Sequence, residues 1–522
     1  MALLTTAATV VAERWVLVST FFAALFVSLI VPRLWSRLLL SRIPVVGADV
    51  GGIAKRREAY LSEAKRFYLE GYQKVFKHGV FRLTTASNLE TLVLSTKFLP
   101  ELRELPDTTL SMSAAVAETL ESKYTGFRTE APMLVAAVKA YLTPSLPKLL
   151  PSLWHEAQAA VDREMPEAKE WTEVNINSIL LRIIATVSGR VFVGPELCRN
   201  EQYMDAAINY TLDIISARQA VKLLRPWLRP LLGPRLPEVK RLQRRVTEAD
   251  AILRPVVDQR LAGEKDASYV KSEDLLQWLI DARDKFPSEE SSNLGSLQMF
   301  LTFAAIHTTG MSSTNLMYDV AAFPELAAEI RLEAQEALAE SEAGDSYTSR
   351  SLHSMKKLDS ALKEDLRFYT TGGSFQRKVL QSFTLSDGQV IPAGVIIEVP
   401  AVAINNDPDV FPDADRHDPL RFYKLRQAAR QGDSKDTMAA ATNQFVSVNP
   451  TSLSFGYGRH ACPGRFFVAN EIKMIVVAML ARYDFKLAQG SERYPNIVFA
   501  GESMPDPSKT LLCRRREPGV DV

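Results

Sequence analysis

The residues best suited to chemistry lie late in the chain, in Phe455-Gly456-Tyr457-Gly458-Arg459-His460-Ala461-Cys462-Pro463-Gly464. A cysteine stands there among glycines, which let a backbone turn sharply and approach a flat ligand closely. Pro463 lacks an N–H and suits the first turn of a helix. The apolar residues Phe466, Phe467, Ile472, Ile475, Val476, Met479 and Leu480 follow at helical spacing. The pattern places Cys462 at a helix N-terminus, where the dipole favours thiolate over thiol. A thiolate held in this way can be the axial ligand of a haem iron. Gly456-x-Gly458-x-x-Ala461 also fits a loose dinucleotide fingerprint, but too little chain follows it to build a nucleotide-binding sheet. A zinc site needs more cysteine or histidine neighbours than His460 alone. A free cysteine at a helix start is the plain alternative.

Phe455-x-x-Gly458-x-His460-x-Cys462-x-Gly464 resembles the haem-binding signature of the cytochromes P-450. The resemblance implies that Cys462 is the proximal thiolate ligand of a haem b iron. It implies that His460 holds a haem propionate and that Phe455 packs by the sulfur, with Gly458 and Gly464 completing the cofactor loop.

A second stretch belongs with the first. A helix is predicted from about Leu294 to Phe323, stopped by Pro324. Thirty residues of helix span roughly 45 Å. Leu297, Met299, Phe300, Leu301 and Phe303 leave no polar face, so its middle is expected to be buried. Ala304-Ala305-Ile306-His307-Thr308-Thr309 falls inside that run, and polar groups buried there must be satisfied or used. The stretch is similar to the P-450 distal-helix pattern of small residue, glycine, any residue, acid and threonine. Ala305 replaces the glycine and His307 the acid. The family uses the threonine, here Thr308, to steer protons to the oxygen being activated. Histidine titrates near neutrality, so His307 is expected to feed Thr308. The alternative is a core histidine bonded to a helix carbonyl.

Glu364 and Arg367 are three apart on a predicted helix and share a face. Asp418-Pro419-Leu420-Arg421-Phe422 supplies a further arginine, whose planar fork suits carboxylate pairing. The resemblance implies that Glu364, Arg367 and Arg421 join in a buried triad beneath the haem. It also implies propionate contacts for Arg377, and for Lys139 on a helix expected to end at Thr143-Pro144. Thr370 to Phe375 corresponds to a segment lining the substrate side, and Thr108 to Thr129 to one draped over it.

The elements that must position these residues read as a mainly helical chain. Its 522 residues are 47% hydrophobic and 24% charged, a globular composition. The net charge of +1 gives no nucleic-acid partner. Cys198, Cys462 and Cys513 are the only cysteines, which argues against a disulfide framework and leaves Cys198 and Cys513 structural. Trp15 to Val31 is an apolar run of about 17 residues, followed by Pro32, Arg33, Arg37 and Arg42. It reads as an uncleaved anchor with the bulk of the chain in the cytosol, a cleaved signal peptide being the rival. Ile43-Pro44-Val45-Val46-Gly47 reads as a stiff hinge. Short strands are expected at Phe81–Leu83 and Thr91–Leu94 around a turn at Ala86-Ser87-Asn88. Trp171 to Phe192 and Val239 to Leu261 read as helices, the latter kinked at Pro255. Glu273 to Arg283 is also helical, and Ser288 to Asn293 is a polar loop capping the next helix. A hairpin is expected around Ser386-Asp387-Gly388-Gln389, and closing strands at Tyr483–Leu487 and Lys509–Cys513.

The implied fold is mainly α with small β-sheets, the cytochrome P-450 fold, preceded by one N-terminal transmembrane helix. Residues 1–42 are the anchor and flank, and residues 43–522 the catalytic domain. The implied activity is haem-thiolate monooxygenation with O2, the thiolate favouring O–O cleavage. No flavin or convincing nicotinamide motif is fused, so the implied electron donor is an NADPH-cytochrome P-450 reductase in the same membrane. The implied location is the endoplasmic reticulum membrane, single-pass, with the catalytic domain cytosolic. Ala-Ala-Ile-His-Thr-Thr and Val193-Gly194-Pro195-Glu196-Leu197-Cys198-Arg199-Asn200 resemble fungal secondary-metabolite members of the family. They imply a large lipophilic small-molecule substrate, a terpenoid or indole-diterpenoid. Two alternatives remain: a haem-thiolate isomerase or dehydratase that does not use O2, and a non-catalytic, membrane-anchored haem carrier. Retention of Thr308 argues against the first, and the small Ala304 and Ala305 argue against the second.

Overall fold

Residues 15–76, 79–86, 90–287, 294–341, 344–370, 372–431 and 441–517 are described in a computed structural model. The first helix, α1, is Trp15–Ser41 and 27 residues long. It leaves Trp15, Leu17, Phe21, Phe22, Phe26 and Trp35 exposed. Some of its side chains lie outside the described residues. Among the described residues no helix is long and apolar enough to cross a membrane, so the expected transmembrane helix is not shown.

The segment read as a hinge is docked. Val46 N–H donates to Arg82 O at 3.0 Å, and Arg82 N–H donates to Pro44 O at 2.8 Å. Gly47 has φ 75°, and a Cβ there would stand 2.9 Å from the Phe67 ring, so the chain turns on a glycine. Helix α2 (Ile53–Gly71) then packs on strand β1 (Val80–Thr84), which pairs antiparallel with β2 (Glu90–Leu94). The predicted turn between them falls mostly outside the described residues, as does the polar loop Ser288 to Asn293.

Thr108 to Thr129 contains strand β3 (Leu110–Ser111) and the short helices α3 (Met112–Thr119) and α4 (Ser122–Thr125). Helix α5 (Pro132–Ala137) runs through a π-helical turn at Val138–Leu142 into α6 (Thr143–Glu164). The expected stop at Thr143-Pro144 is therefore absent. Pro144 directly follows that wide turn, and α6 also continues through Pro147 and Pro151. Strand β4 is Thr172–Val174, so the start of the stretch read as helical from Trp171 is extended. Asn175 then accepts from Ser178 N–H and starts α7 (Ile176–Phe192). Ile176, Leu180, Ile183, Ile184 and Val187 form its buried face, as their spacing predicts.

Helix α8 (Glu201–Leu223) was not foreseen in the sequence. Its inward face mixes alanines with Tyr203, Tyr210, Ile214 and Val221, which blurs the apolar stripe. Helix α9 (Pro237–Gly263) continues through Pro255, and a helix at Leu275–Ala282 is capped by Asp274. Helix α10 (Leu294–Ala322) is the predicted long helix; α7, α8 and α9 pack on it.

Helix α11 (Lys356–Phe368) precedes strand β5 (Ser374–Val379), the hairpin of β6 (Phe383–Thr384) and β7 (Val390–Ile391), and β8 (Ile396–Val399). The main sheet has the order β1-β2-β8-β5-β3. Helices α12 (Arg421–Gln431) and α13 (Arg465–Arg482) follow. Strands β9 (Tyr483–Leu487), β10 (Asn496–Phe499), β11 (Glu502–Pro505) and β12 (Leu511–Arg515) close the chain, with β12 between β4 and β9.

Buried in α13 is Glu471, fully enclosed, which accepts from Ser188 Oγ of α7 at 2.6 Å. Burial pushes its pKa up to about 8. An acid whose pKa is raised by folding gives its stability below its unfolded value of about 4.3 and loses it as pH rises towards 8. Glu471→Gln is therefore expected to flatten the fall in melting temperature between those values. The stability gained at the alkaline end is on the order of a few kcal/mol. A variant with the wild-type slope would show that Glu471 is ionised in the fold.

Candidate active site

Helix α10 is enclosed along most of its length, but Ala304 and Thr308, one turn apart, are left uncovered by protein. Met311 continues that face. Phe303 and Phe300 stand beside it and pack on Phe127, with ring centroids 5.0 and 5.8 Å away. Thr308 Oγ1 donates to Ala304 O at 2.8 Å, which leaves its lone pairs open to the uncovered side. His307 points elsewhere. Its Nε2 is 2.7 Å from Ile208 O of α8, so this nitrogen carries the proton and Nδ1 is the acceptor. Burial lowers its pKa, the carbonyl contact opposing this, so the ring is held neutral. The histidine links two helices, and only Nδ1 remains for exchange.

The cysteine loop closes through Cys462 N–H to Phe455 O at 2.8 Å. Gly456 and Gly458 take φ of 75° and 69°, which an L side chain resists. Helix α13 begins at Arg465 behind Gly464, so Pro463 stands just outside it and Cys462 one residue further back. Gly464 N–H and Arg465 N–H are both directed at the sulfur. The sequence argument favoured thiolate from the helix end alone. The structure has burial pushing the Cys462 thiol up, with those amides only partly opposing it. A metal cation at the sulfur would supply the missing charge, since a coordinating thiol is deprotonated outright. Phe455 meets Phe445 edge-on at 5.2 Å. Cys198 and Cys513 are buried with thiols pushed up to about 11 by burial.

His460 Nε2 lies 2.9 Å from Asp107 Oδ1, and Arg459 Nη2 donates to the same oxygen at 2.8 Å. Arg459 Nε also approaches His460 Nε2, at 3.2 Å, but a nitrogen that donates to Asp107 cannot accept, and the carboxylate is the better partner. Arg377 is buried, and among the described residues its side chain makes one hydrogen bond, from Nη1 to Gln376 O at 2.8 Å. Burial pushes its pKa down to about 10, with Asp107 opposing and Arg459 adding to the shift. The structure thus brings Arg377, Arg459 and His460 together around the Asp107 carboxylate. Lys139 is exposed on the π-helical turn, outside that group.

Glu364 is fully buried. Arg367 grips it with both nitrogens, Nη2 to Oε1 at 2.7 Å and Nε to Oε2 at 2.8 Å. Arg421 Nε reaches both oxygens at 3.2 Å, and Asp418 N–H adds a bond at 3.0 Å. The remaining arginine donors go to carbonyls: Asn405 and Ala414 for Arg367, Asp413 and Arg416 for Arg421. The three residues meet in one buried cluster; spacing pointed to Glu364 with Arg367, and the resemblance added Arg421.

Other parts of this framework escaped the sequence reading. Asp359, one turn before Lys363 on α11, pairs with Lys473 of α13 at 3.0 Å and Arg426 of α12 at 2.9 Å. It also accepts from Phe445 N–H at 3.0 Å. Lys363 donates to Gln444 O at 2.8 Å, and burial pushes its pKa down to about 7. Asp365 faces His417 Nε2 at 3.0 Å, and Arg493 Nε reaches Asp319 beside them at 2.9 Å. Burial holds Asp365 up to about 7. Buried Asp, Lys and Arg on one short helix are the only hint in the sequence, and each partner is far away along the chain.

These residues fit a haem. Among the described residues the buried Arg377 guanidinium forms no ion pair with a carboxylate, a cysteine sulfur receives two amides, and small side chains leave a helix face open. The comparisons agree. A family model for cytochrome P-450 matches residues 128–513. The cytochrome P-450 monooxygenase ATR3 of Stachybotrys chlorohalonatus is 41% identical over 82% of this chain and 89% of its own length. The cytochrome P-450 monooxygenase paxP of Penicillium paxilli is 33% identical over 87% of this chain and 86% of its own. The fold is similar to that of a retinoic acid-bound cyanobacterial CYP120A1, with a TM-score of 0.63 and 19% identity, covering 91% of this chain and 99% of that one. The chain belongs to the cytochrome P-450 family. It is a monooxygenase whose cofactor is haem ligated by a cysteine thiolate.

Removing the carboxylate from the triad leaves two buried arginines without their anion. Glu364→Ala is expected to destabilise the protein by about 3–5 kcal/mol. Lys424→Ala removes only an exposed pair with Asp418 and should cost less than about 1 kcal/mol. Denaturation midpoints and haem content of the two variants check this; equal values would show that the triad is replaceable.

Proposed function

We propose that Cys462 is the thiolate ligand, and that this monooxygenase oxidises a large lipophilic secondary metabolite, a terpenoid or indole-diterpenoid. The observation that carries the reading is the uncovered Ala304–Thr308 face of α10 with aromatic rings beside it. A thiolate-ligated haem activates O2 for insertion of one oxygen atom into a C–H or C=C bond. Every other task falls to the chain. Gly464 and Arg465 amides temper the Cys462 sulfur, and Gly458 holds the tight turn that presents it. Arg377 and the His460–Arg459 group take the haem propionates, and Lys139 reaches a propionate only by extending from its exposed turn. Glu364, Arg367 and Arg421 hold the chain beneath the loop.

Thr308 holds a proton at Oγ1 next to the uncovered space and delivers it there. To do so its hydroxyl rotates off Ala304 O, a small motion for a threonine in a helix. His307 serves Thr308 by taking a proton from water at Nδ1 and returning that same proton through water, its Nε2–H being committed to Ile208 O. Fungal monooxygenases among the relatives, and the two motifs named above, support the secondary-metabolite substrate class. Electrons come from an NADPH-cytochrome P-450 reductase. Residues 1–42 form the anchor and residues 43–522 the catalytic domain, single-pass in the endoplasmic reticulum membrane and facing the cytosol. The exposed apolar side chains of α1 and the arginines after them support that placement.

Membranes from cells expressing the full chain with a reductase test the reading. Given heavy-oxygen O2, NADPH and terpenoid scaffolds, they are expected to yield product carrying one heavy oxygen. Thr308→Ala should shift NADPH consumption from product to peroxide. A chain lacking residues 1–42 should leave the membrane fraction with its haem intact. Product without label, unchanged coupling in Thr308→Ala, or a truncated chain still wholly in membranes would each contradict the corresponding part.

A further inference from the structure

Helix α8 carries Arg218 and Lys222 four residues apart, so both lie on one face of the helix, and both are half-buried. Arg218 Nε is buried and has no hydrogen-bond partner among the described residues. Burial lowers the pKa of both groups, and Lys222 is pushed down to about 8, with Arg218 adding to its shift. The acids around them are engaged elsewhere or stand off. Glu121 is 2.9 Å from Arg229, and Glu118 is 2.6 Å from Lys378. Glu502 on β11 acts on Arg218 through its field but is exposed to solvent. Two neighbouring cations, both partly desolvated, are unfavourable until an anion joins them.

Their place in the fold says what that anion belongs to. Helix α8 meets α10 where Ile208 touches His307. Arg218 is about ten residues further on, roughly 15 Å along the helix. There it feels Glu121, between α3 and α4, and Glu502 on β11, a strand that packs on α10. Both α8 and β11 pack on α10, the helix whose uncovered face holds Thr308.

We propose that Arg218 and Lys222 bind a carboxylate at one end of a lipophilic substrate and set how far the other end reaches towards Thr308. The guanidinium fork takes the two carboxylate oxygens, and the ammonium adds a second, less directional contact. The inference rests on the reading that substrate enters over α10, and it narrows the substrate class to lipophilic acids.

The test uses the purified holoprotein and calorimetry, which reads binding without turnover. The probes are abietate and palmitate, each against its methyl ester. At least one acid is expected to bind about ten-fold tighter than its ester. In the double variant Arg218→Gln, Lys222→Gln that gap should vanish while ester binding stays as it was. Arg218→Lys should keep part of the gap, and Glu502→Gln should widen it by removing a competing charge. Equal binding of acid and ester by the wild type, no binding of either acid, or a gap that survives the double variant would overturn the proposal. Loss of the thiolate spectrum in the wild type would instead overturn the haem reading, so the two failures are distinguishable.

Discussion

One buried carboxylate, Glu364, must satisfy two arginines from different parts of the chain, and this constraint shapes the proximal half of the molecule. Arg367 comes from the same helix and Arg421 from the start of α12, and each spends its remaining donors on carbonyls between Asn405 and Arg416. That stretch is built of turns, whose local backbone bonds do not tie it to the rest of the fold. The arginines tie it down with charged donors, which make stronger bonds than neutral ones. Forming such a group requires desolvating three charges, so its net contribution to stability is small even though breaking it is costly. What it secures is position. Asp359 and Lys363, on the same helix, extend the hold to α13, to Phe445 and so to Phe455 against the cysteine loop.

The distal half is governed by an opposite requirement. Helix α10 has to be buried, yet must leave one short face open. Ala304 and Thr308 do this by being small, while Phe300 and Phe303 to the side close the gap with Phe127. His307 would be a liability in that setting, since a buried imidazole needs partners. The bond to Ile208 O answers it and ties α10 to α8, the helix that also carries Arg218 and Lys222. A contact between these helices therefore ties the helix with the open face to the helix that carries the two cations.

Parts of the structure were legible in the sequence where the chemistry is local. Cys462 and its glycines, the Glu364–Arg367 spacing and the length of α10 are properties of contiguous residues. Family likeness then supplied Arg421, which spacing alone could not. The rest depended on packing between distant segments. Nothing near Asp359 names Lys473 as its partner, and nothing near His460 names Asp107. Helix α8 hid because alanine and tyrosine blur its apolar stripe. The helix end expected at Thr143-Pro144 was misjudged because the chain runs on from a π-helical turn through its proline. The thiolate argument from the helix dipole was incomplete for the same kind of reason. Burial, a tertiary property, outweighs the dipole until a metal charge is present.

The central claim is that Cys462 presents a thiolate to a haem iron. Reducing the purified holoprotein under carbon monoxide and recording its absorbance tests this most directly, beside the Cys462→Ser variant. The wild type should give the red-shifted band that marks a thiolate opposite carbon monoxide, and the variant, with a hydroxyl in its place, should lose it while keeping its fold. A wild type without that band, or a Cys462→Ser variant that retains it, would contradict the account.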